Sequence, residues 1–105
     1  MDGIAIQIPK EDIAGFCKKW KIRRFSLFGS VLTDAFRPDS DIDVLVEFEP
    51  DHPWSLFDHV QMQEELSGIL GRKVDLVSRA GVERSRNYIR RKSILRSAQT
   101  IYEAA

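Results

Sequence analysis

Hydrophobic and polar positions alternate most regularly from Asp41 to Phe48, with Ile42, Val44, Val46 and Phe48 on one side and Asp41, Asp43, Leu45 and Glu47 on the other. A period of two predicts a strand with one face in the core, and it turns Asp41 and Asp43 the same way. Ile22 to Phe28 reads as a strand of mixed polarity, Phe25 and Leu27 opposing Arg24, Ser26 and Phe28, and Gly29-Ser30 ends it. Val74 to Ser78 is a short third strand whose Asp75 faces away from Val74 and Leu76. Between the strands the period changes to that of a helix. Pro9 to Trp20 places Ile13, Phe16, Cys17 and Trp20 on one face, and Glu11 and Asp12 suit the positive helix start. Ser30 to Ala35 allows only a short helix before the turn residues Pro38, Asp39 and Ser40. Trp54 to Leu70 presents an apolar arc of Leu56, Val60, Met62, Leu66, Ile69 and Leu70 and stops at Gly71. Val82 to Glu103 reads as one final helix with Tyr88, Ile94, Leu95, Ala98, Ile101 and Tyr102 on one side. This order predicts an α/β (α+β) fold, a small sheet with helices packed on one face and carboxylates on the other.

The length, 105 residues, has room for one core, so residues 1–105 are expected to form a single domain, and a partner subunit would aid its stability. Formal charge is balanced, 16 basic against 16 acidic residues, which removes the simplest argument for a nucleic-acid binder. The distribution is uneven. Ten acids and one base, Arg37, lie between Asp34 and Glu65, whereas nine bases face Asp75 and Glu83 between Arg72 and Arg96. Such polarity suits a cation at one end and an anionic ligand or acidic partner at the other, unless the charges interleave on folding. The single Cys17 forms no internal disulfide, the start lacks a signal-like region, and no apolar run is long enough for a membrane span, so a cytoplasmic protein is expected.

Asp41 and Asp43 stand about 6.6 Å apart along a strand, and Asp75 joins them if its strand is the neighbour, about 4.8 Å away. Metal-free, such carboxylates raise one another's pKa; as hard oxygen ligands they suit Mg²⁺ or Mn²⁺, and a pair of ions clamps an in-line phosphoryl displacement. Gly29 permits close backbone approach, and Ser30 offers a hydroxyl and backbone N–H groups to phosphate oxygens. Either feature alone is an ordinary acidic patch or an ordinary turn. Together they point to phosphoryl or nucleotidyl transfer.

The run Leu27-Phe28-Gly29-Ser30, followed by Asp41-Ile42-Asp43-Val44-Leu45-Val46, resembles the Gly-Ser turn and DxD signature of the DNA polymerase β-like nucleotidyltransferase superfamily. The stretch FGSVLTDAFRPDSDIDVLVEF is similar to the minimal nucleotidyltransferases (MNT) encoded beside HEPN-domain ribonucleases. The resemblance implies that Gly29 and Ser30 contact phosphate, that Asp41 and Asp43 ligate two Mg²⁺ ions, and that Asp75 is the third carboxylate, near the attacking hydroxyl. Ser40 also fits the pattern. Where many relatives carry Arg and Gly after the Gly-Ser turn, this chain has Val31-Leu32-Thr33-Asp34. The resemblance further implies an antitoxin that moves AMP from ATP to a tyrosine of a HEPN toxin, forming a hetero-oligomer with it.

Three rival readings accompany it: an antitoxin that masks its toxin by binding alone, adenylyl transfer to a small molecule, and RNA binding through the basic segment. The absence of an acceptor lobe and the balanced charge count against the last two. His52 and His59 lack zinc spacing and are expected at the surface. Trp54 and Phe57 are expected to pack, and Arg86 and Arg90 are expected to meet a partner.

Overall fold

A computed structural model describes residues 6, 8–33, 36–37, 39–50 and 54–104. Helix α1 (Lys10–Lys19) leads to β1 (Ile22–Phe28) and a single 3-10 turn (Gly29–Leu32). Strand β2 (Ile42–Phe48), helix α2 (Leu56–Leu70), strand β3 (Val74–Ser78), helices α3 (Arg79–Glu83) and α4 (Tyr88–Ser97), and strand β4 (Gln99–Glu103) follow. The strands form one sheet in the order β3-β2-β1-β4, with β2 antiparallel to β1 and parallel to β3. No helix among the described residues is long and apolar enough to cross a membrane.

Helices α1 and α2 lie on the sheet face that the alternation in β2 assigned to the core. Ile13, Phe16 and Cys17 of α1 and Met62 and Leu66 of α2 pack against Phe25, Leu27, Ile42, Val44, Val46, Val74 and Leu76. Phe16 meets Phe25 edge to face, with ring centroids 6.5 Å apart. Helix α2 starts where Ser55 and Asp58 cap one another reciprocally and ends at Gly71, whose φ of 69° is the left-handed conformation glycine tolerates. Trp54 packs edge to face on Trp20 at 4.9 Å and donates its indole N–H to the Trp20 carbonyl. Phe57, expected to pack as well, is 87% exposed, and Leu56 and Val60 are exposed with it, because α2 meets the core through Met62 and Leu66.

The opposite face carries a smaller cluster of Phe28, Leu45, Val82 and Ile94, so α3 and α4 cover part of the side that bears the carboxylates. The single helix expected from Val82 to Glu103 does not form. Ser85 accepts a hydrogen bond from the Asn87 N–H, and Asn87 in turn caps α4 by accepting from the Arg90 N–H. After Ala98 the chain is extended, and β4 pairs antiparallel with β1, Phe25 opposite Tyr102 and Ser26 opposite Thr100. Thr100-Ile101-Tyr102 is a β-favouring run, and pairing it satisfies the backbone groups along β1 that would otherwise form an open edge. Tyr88, assigned to the apolar stripe of the expected helix, is therefore exposed. The short helix expected over Ser30–Ala35 is only the 3-10 turn, with Asp34 and Ala35 outside the described residues.

Candidate active site

Three chain segments meet at one end of the sheet: the end of β1 with its following turn, the start of β2, and the start of β3. Register fixes what they bring together. Asp43 of β2 lies opposite Phe28 on the antiparallel side and opposite Asp75 on the parallel side. Cross-strand neighbours share a face, so Asp43 and Asp75 stand side by side on the surface away from α1 and α2. Asp41 directly precedes β2 and is exposed, Asp75 is exposed, and Asp43 is half-buried.

Burial pushes the Asp43 carboxyl above its ordinary value, and the negative charges of Asp75 and then Asp41 push it further, against an opposing pull from Arg90. Both of the other acids named from the sequence thus act electrostatically on Asp43. Among the described residues, however, no three His, Cys, Asp or Glu side chains are gathered about one ion-sized point. The donor set itself, carboxylate oxygens crowded by like charge, suits a hard divalent cation, which relieves that repulsion on binding.

Gly29 has a φ of 79°, and a Cβ placed on it would fall on Oδ2 of Asp43 and come within 3.2 Å of its Cγ. The glycine is therefore required twice, for its backbone conformation and for the room it leaves the Asp43 carboxylate. Ser30 opens the 3-10 turn, where Val31 is buried and Leu32 packs on the main core. The Ser40 hydroxyl accepts the Arg37 N–H at 2.9 Å and closes a turn just ahead of Asp41. Ser40 thus has a local role in presenting Asp41, besides any toward a ligand.

One placement differs from expectation. His59 is half-buried and donates from Nε2 to the Leu76 carbonyl at 2.8 Å, so it is a structural residue of the β3 edge, while His52 lies outside the described residues. Arg90, expected to meet a partner, is exposed, and its charge also acts on Asp43. No spacing rule signals that approach, because it depends on where α4 crosses the sheet.

The nucleotidyltransferase domain family matches residues 10–100. The chain belongs to that family. This nucleotidyltransferase is 35% identical over 66 residues to protein adenylyltransferase MntA of Thermococcus cleftensis, a match covering 63% of this chain and 65% of that relative, just under two-thirds of its length. A solved structure provisionally described as a minimal nucleotidyltransferase superposes with a TM-score of 0.68 at 35% identity, covering 88% of each chain. The MNT antitoxin complex with tri-AMPylated HEPN toxin of Shewanella oneidensis shares the fold, at a TM-score of 0.61 and 20% identity over 90% of this chain and 70% of that one. The mixed four-stranded sheet with its helices is accordingly the polymerase β-like nucleotidyltransferase core.

Proposed function

We propose that this nucleotidyltransferase is the antitoxin of a HEPN/MNT toxin–antitoxin pair, a Mg²⁺-dependent enzyme of the cytoplasm that moves AMP from ATP to a tyrosine hydroxyl of its HEPN-domain partner. The observation that carries this reading is the register of β2 and β3, which sets Asp43 beside Asp75 next to a glycine that leaves room for the Asp43 carboxylate. The names of its relatives support the same chemistry: MntA is a protein adenylyltransferase, and the Shewanella toxin is AMPylated in complex with its MNT antitoxin.

In this mechanism Asp41 and Asp43 would hold the metal ions, with Asp75 beside Asp43 as the third carboxylate. When bound, Mg²⁺ would supply neutralisation of the triphosphate and a lowered pKa for the attacking hydroxyl. Gly29 and Ser30 lie against the phosphates, with Ser40 holding the loop that presents Asp41. The tyrosine oxygen forms a bond to the α-phosphorus, the bond from that phosphorus to the bridging oxygen breaks, pyrophosphate leaves, and Asp75 accepts the tyrosine proton. Orientation of the hydroxyl in line with the leaving group is the contribution of the partner's surface.

The test is incubation of the chain with labelled ATP, Mg²⁺ and the HEPN partner. Label is expected on the partner with the wild-type chain, and a loss on the order of 100-fold or more with Asp43→Asn. Absence of transfer, or undiminished transfer by the variant, removes the catalytic reading.

The exposed apolar residues Leu56, Phe57, Tyr88 and Ile89 favour a second reading, neutralisation by a stable complex. Asp41→Asn with Asp43→Asn then leaves growth rescue intact, whereas the enzymatic reading requires its loss.

A further inference from the structure

Helices α3 and α4 leave an open cleft beside β3, about 340 Å³ in volume. Its floor is apolar, formed by Val77 of β3, Val82 of α3 and Ile94 of α4, which belong to the smaller cluster. Its wall is basic. Arg90 and Arg91 line it from α4, and His59 borders it from α2. No carboxylate among the described residues lines it. Arg91 is fixed in place, donating to the Ser85 carbonyl at 2.9 Å and lying over the Tyr88 ring, while Arg90 is exposed. A guanidinium has five donors, so the bond to Ser85 leaves Arg91 others for a ligand.

Sheet register places this cleft relative to the carboxylates. Asp75 pairs with Asp43, and two residues on Val77 pairs with Leu45. Asp75 and Val77 share a face, so the cleft floor is the row of side chains next to the carboxylate row, about 6.6 Å along the strand. An extended segment of another chain seated on Val77 comes level with Asp75 within two or three residues. The chemistry of the cleft sets what fits there: an apolar side chain for the floor and carboxylates for the arginines. A polyanion such as RNA is disfavoured, because the floor is apolar and the adjoining row is itself acidic.

We propose that this cleft seats the acceptor protein, taking from it a segment in which an apolar residue and Asp or Glu side chains lie within a few residues of the hydroxyl that receives AMP. The inference rests on the nucleotidyltransferase reading and adds to it a rule of acceptor choice, hydroxyls in acidic surroundings over those in basic ones. Arg90 and Arg91 hold the acidic side chains, Val77, Val82 and Ile94 hold the apolar one, and the hydroxyl comes to lie at Asp75. Charge across this contact serves selection more than affinity, because a basic segment leaves two arginines facing like charge.

The test is fluorescence anisotropy of the full chain, with Mg²⁺ and a non-hydrolysable ATP analogue, against three probes: a short peptide of Glu and Leu around one tyrosine, the same peptide with Lys for each Glu, and oligouridylate. The wild type is expected to bind the glutamate peptide about 10-fold or more tightly than the lysine peptide. Arg90→Glu should abolish that preference and gain affinity for the lysine peptide, an outcome that a disturbed fold does not produce. Arg96→Glu, on an exposed residue of α4 outside the cleft, should keep the preference. The glutamate peptide should also slow label transfer from ATP to the HEPN partner, and the lysine peptide should not. Equal binding of both peptides or of neither, an equal effect of Arg96→Glu, or binding of the glutamate peptide without slowed transfer overturns the inference alone. Oligouridylate bound more tightly than the glutamate peptide, and released in Arg90→Glu, overturns it in favour of RNA. A wild-type chain that binds no ATP analogue overturns the nucleotidyltransferase reading and the acceptor role with it.

Discussion

Asp43 carries opposing demands within one side chain. It is half-buried, and burial, Asp75 and Asp41 all disfavour its ionised form. A carboxyl whose pKa is raised by folding stabilises the folded state while protonated. That contribution is complete below the unfolded value of about 3.9 and is lost as pH rises through the raised folded value. At neutral pH the metal-free protein therefore holds a charge that opposes folding. Asp43→Asn is expected to raise the melting temperature at pH 7 without metal by a few degrees, and the advantage should shrink toward zero as pH falls to about 4. Added Mg²⁺ should raise the wild-type melting temperature and leave the variant's nearly unchanged. Scanning calorimetry over that pH range checks the sign, and a variant less stable than wild type at pH 7 contradicts it. The position of Asp43 was legible in the sequence because a strand has an exact parity, so two residues of separation put Asp41 and Asp43 on one face. Asp75 was legible only conditionally, since its side of the sheet follows from β3 but its nearness to Asp43 needs β3 to pair with β2, as it does. The approach of Arg90 was not legible at all. It requires the phase of α4, and that helix has no sharp division into apolar and charged faces.

Along the outer edge of β3, helix α2 does for the strand what a further strand would do. His59 Nε2 donates to the Leu76 carbonyl, Gln63 Oε1 accepts the Leu76 N–H at 2.9 Å, and Ser67 Oγ accepts the Val74 N–H at 3.2 Å. Their spacing of four residues is one helical turn, so the three form a polar row running beside the strand. The row satisfies backbone groups of an edge strand and denies them to another chain. Gln63→Leu removes one acceptor and leaves the Leu76 N–H without a partner, which costs about 1–3 kcal/mol and lowers the melting temperature by about 5 °C or more in a chain of this length. Amide exchange at Leu76 should accelerate more than at Val44 in the central β2. Unchanged protection at Leu76 would show that the side-chain bond adds nothing to the edge. From sequence, His59 looked like a surface residue and Gln63 and Ser67 carried no signal, because side chains that serve a strand from a helix obey neither period. The C-terminal strand β4 was missed for a related reason. Its residues continue a helical spacing by coincidence, and the vacant edge of β1 that captures them is fixed by contacts far away in the chain.

At the scale of the whole molecule the charge polarity of the sequence is partly undone by folding. Basic residues of the C-terminal quarter return to the acidic middle, Arg79 to Glu47 at 3.9 Å and Arg90 to the neighbourhood of Asp43, while Arg24 of β1 bridges Glu47 and Glu103. What is left over is a surface with two apolar protrusions, Leu56, Phe57 and Val60 at the start of α2 and Tyr88 and Ile89 at the start of α4. His59 from the first and Arg90 and Arg91 from the second wall the same cleft. Phe57 is 87% exposed and Ile89 79%, so neither is held by the core, and replacing either with Asp should move stability by no more than about 0.5 kcal/mol. Exposed aromatic and branched residues beside Arg84 and Arg86 are instead suited to anchor an acidic protein surface. On the antitoxin reading, Phe57→Asp and Ile89→Asp should each weaken the complex with the HEPN partner by about 10-fold or more while nucleotide affinity stays at the wild-type value. Both quantities can be measured on the same preparations, by surface plasmon resonance against immobilised toxin and by titration with the ATP analogue. Retention of full toxin affinity in both variants would place the interface elsewhere on the molecule. Loss of nucleotide affinity along with it would mean that these helix starts are needed for the site itself.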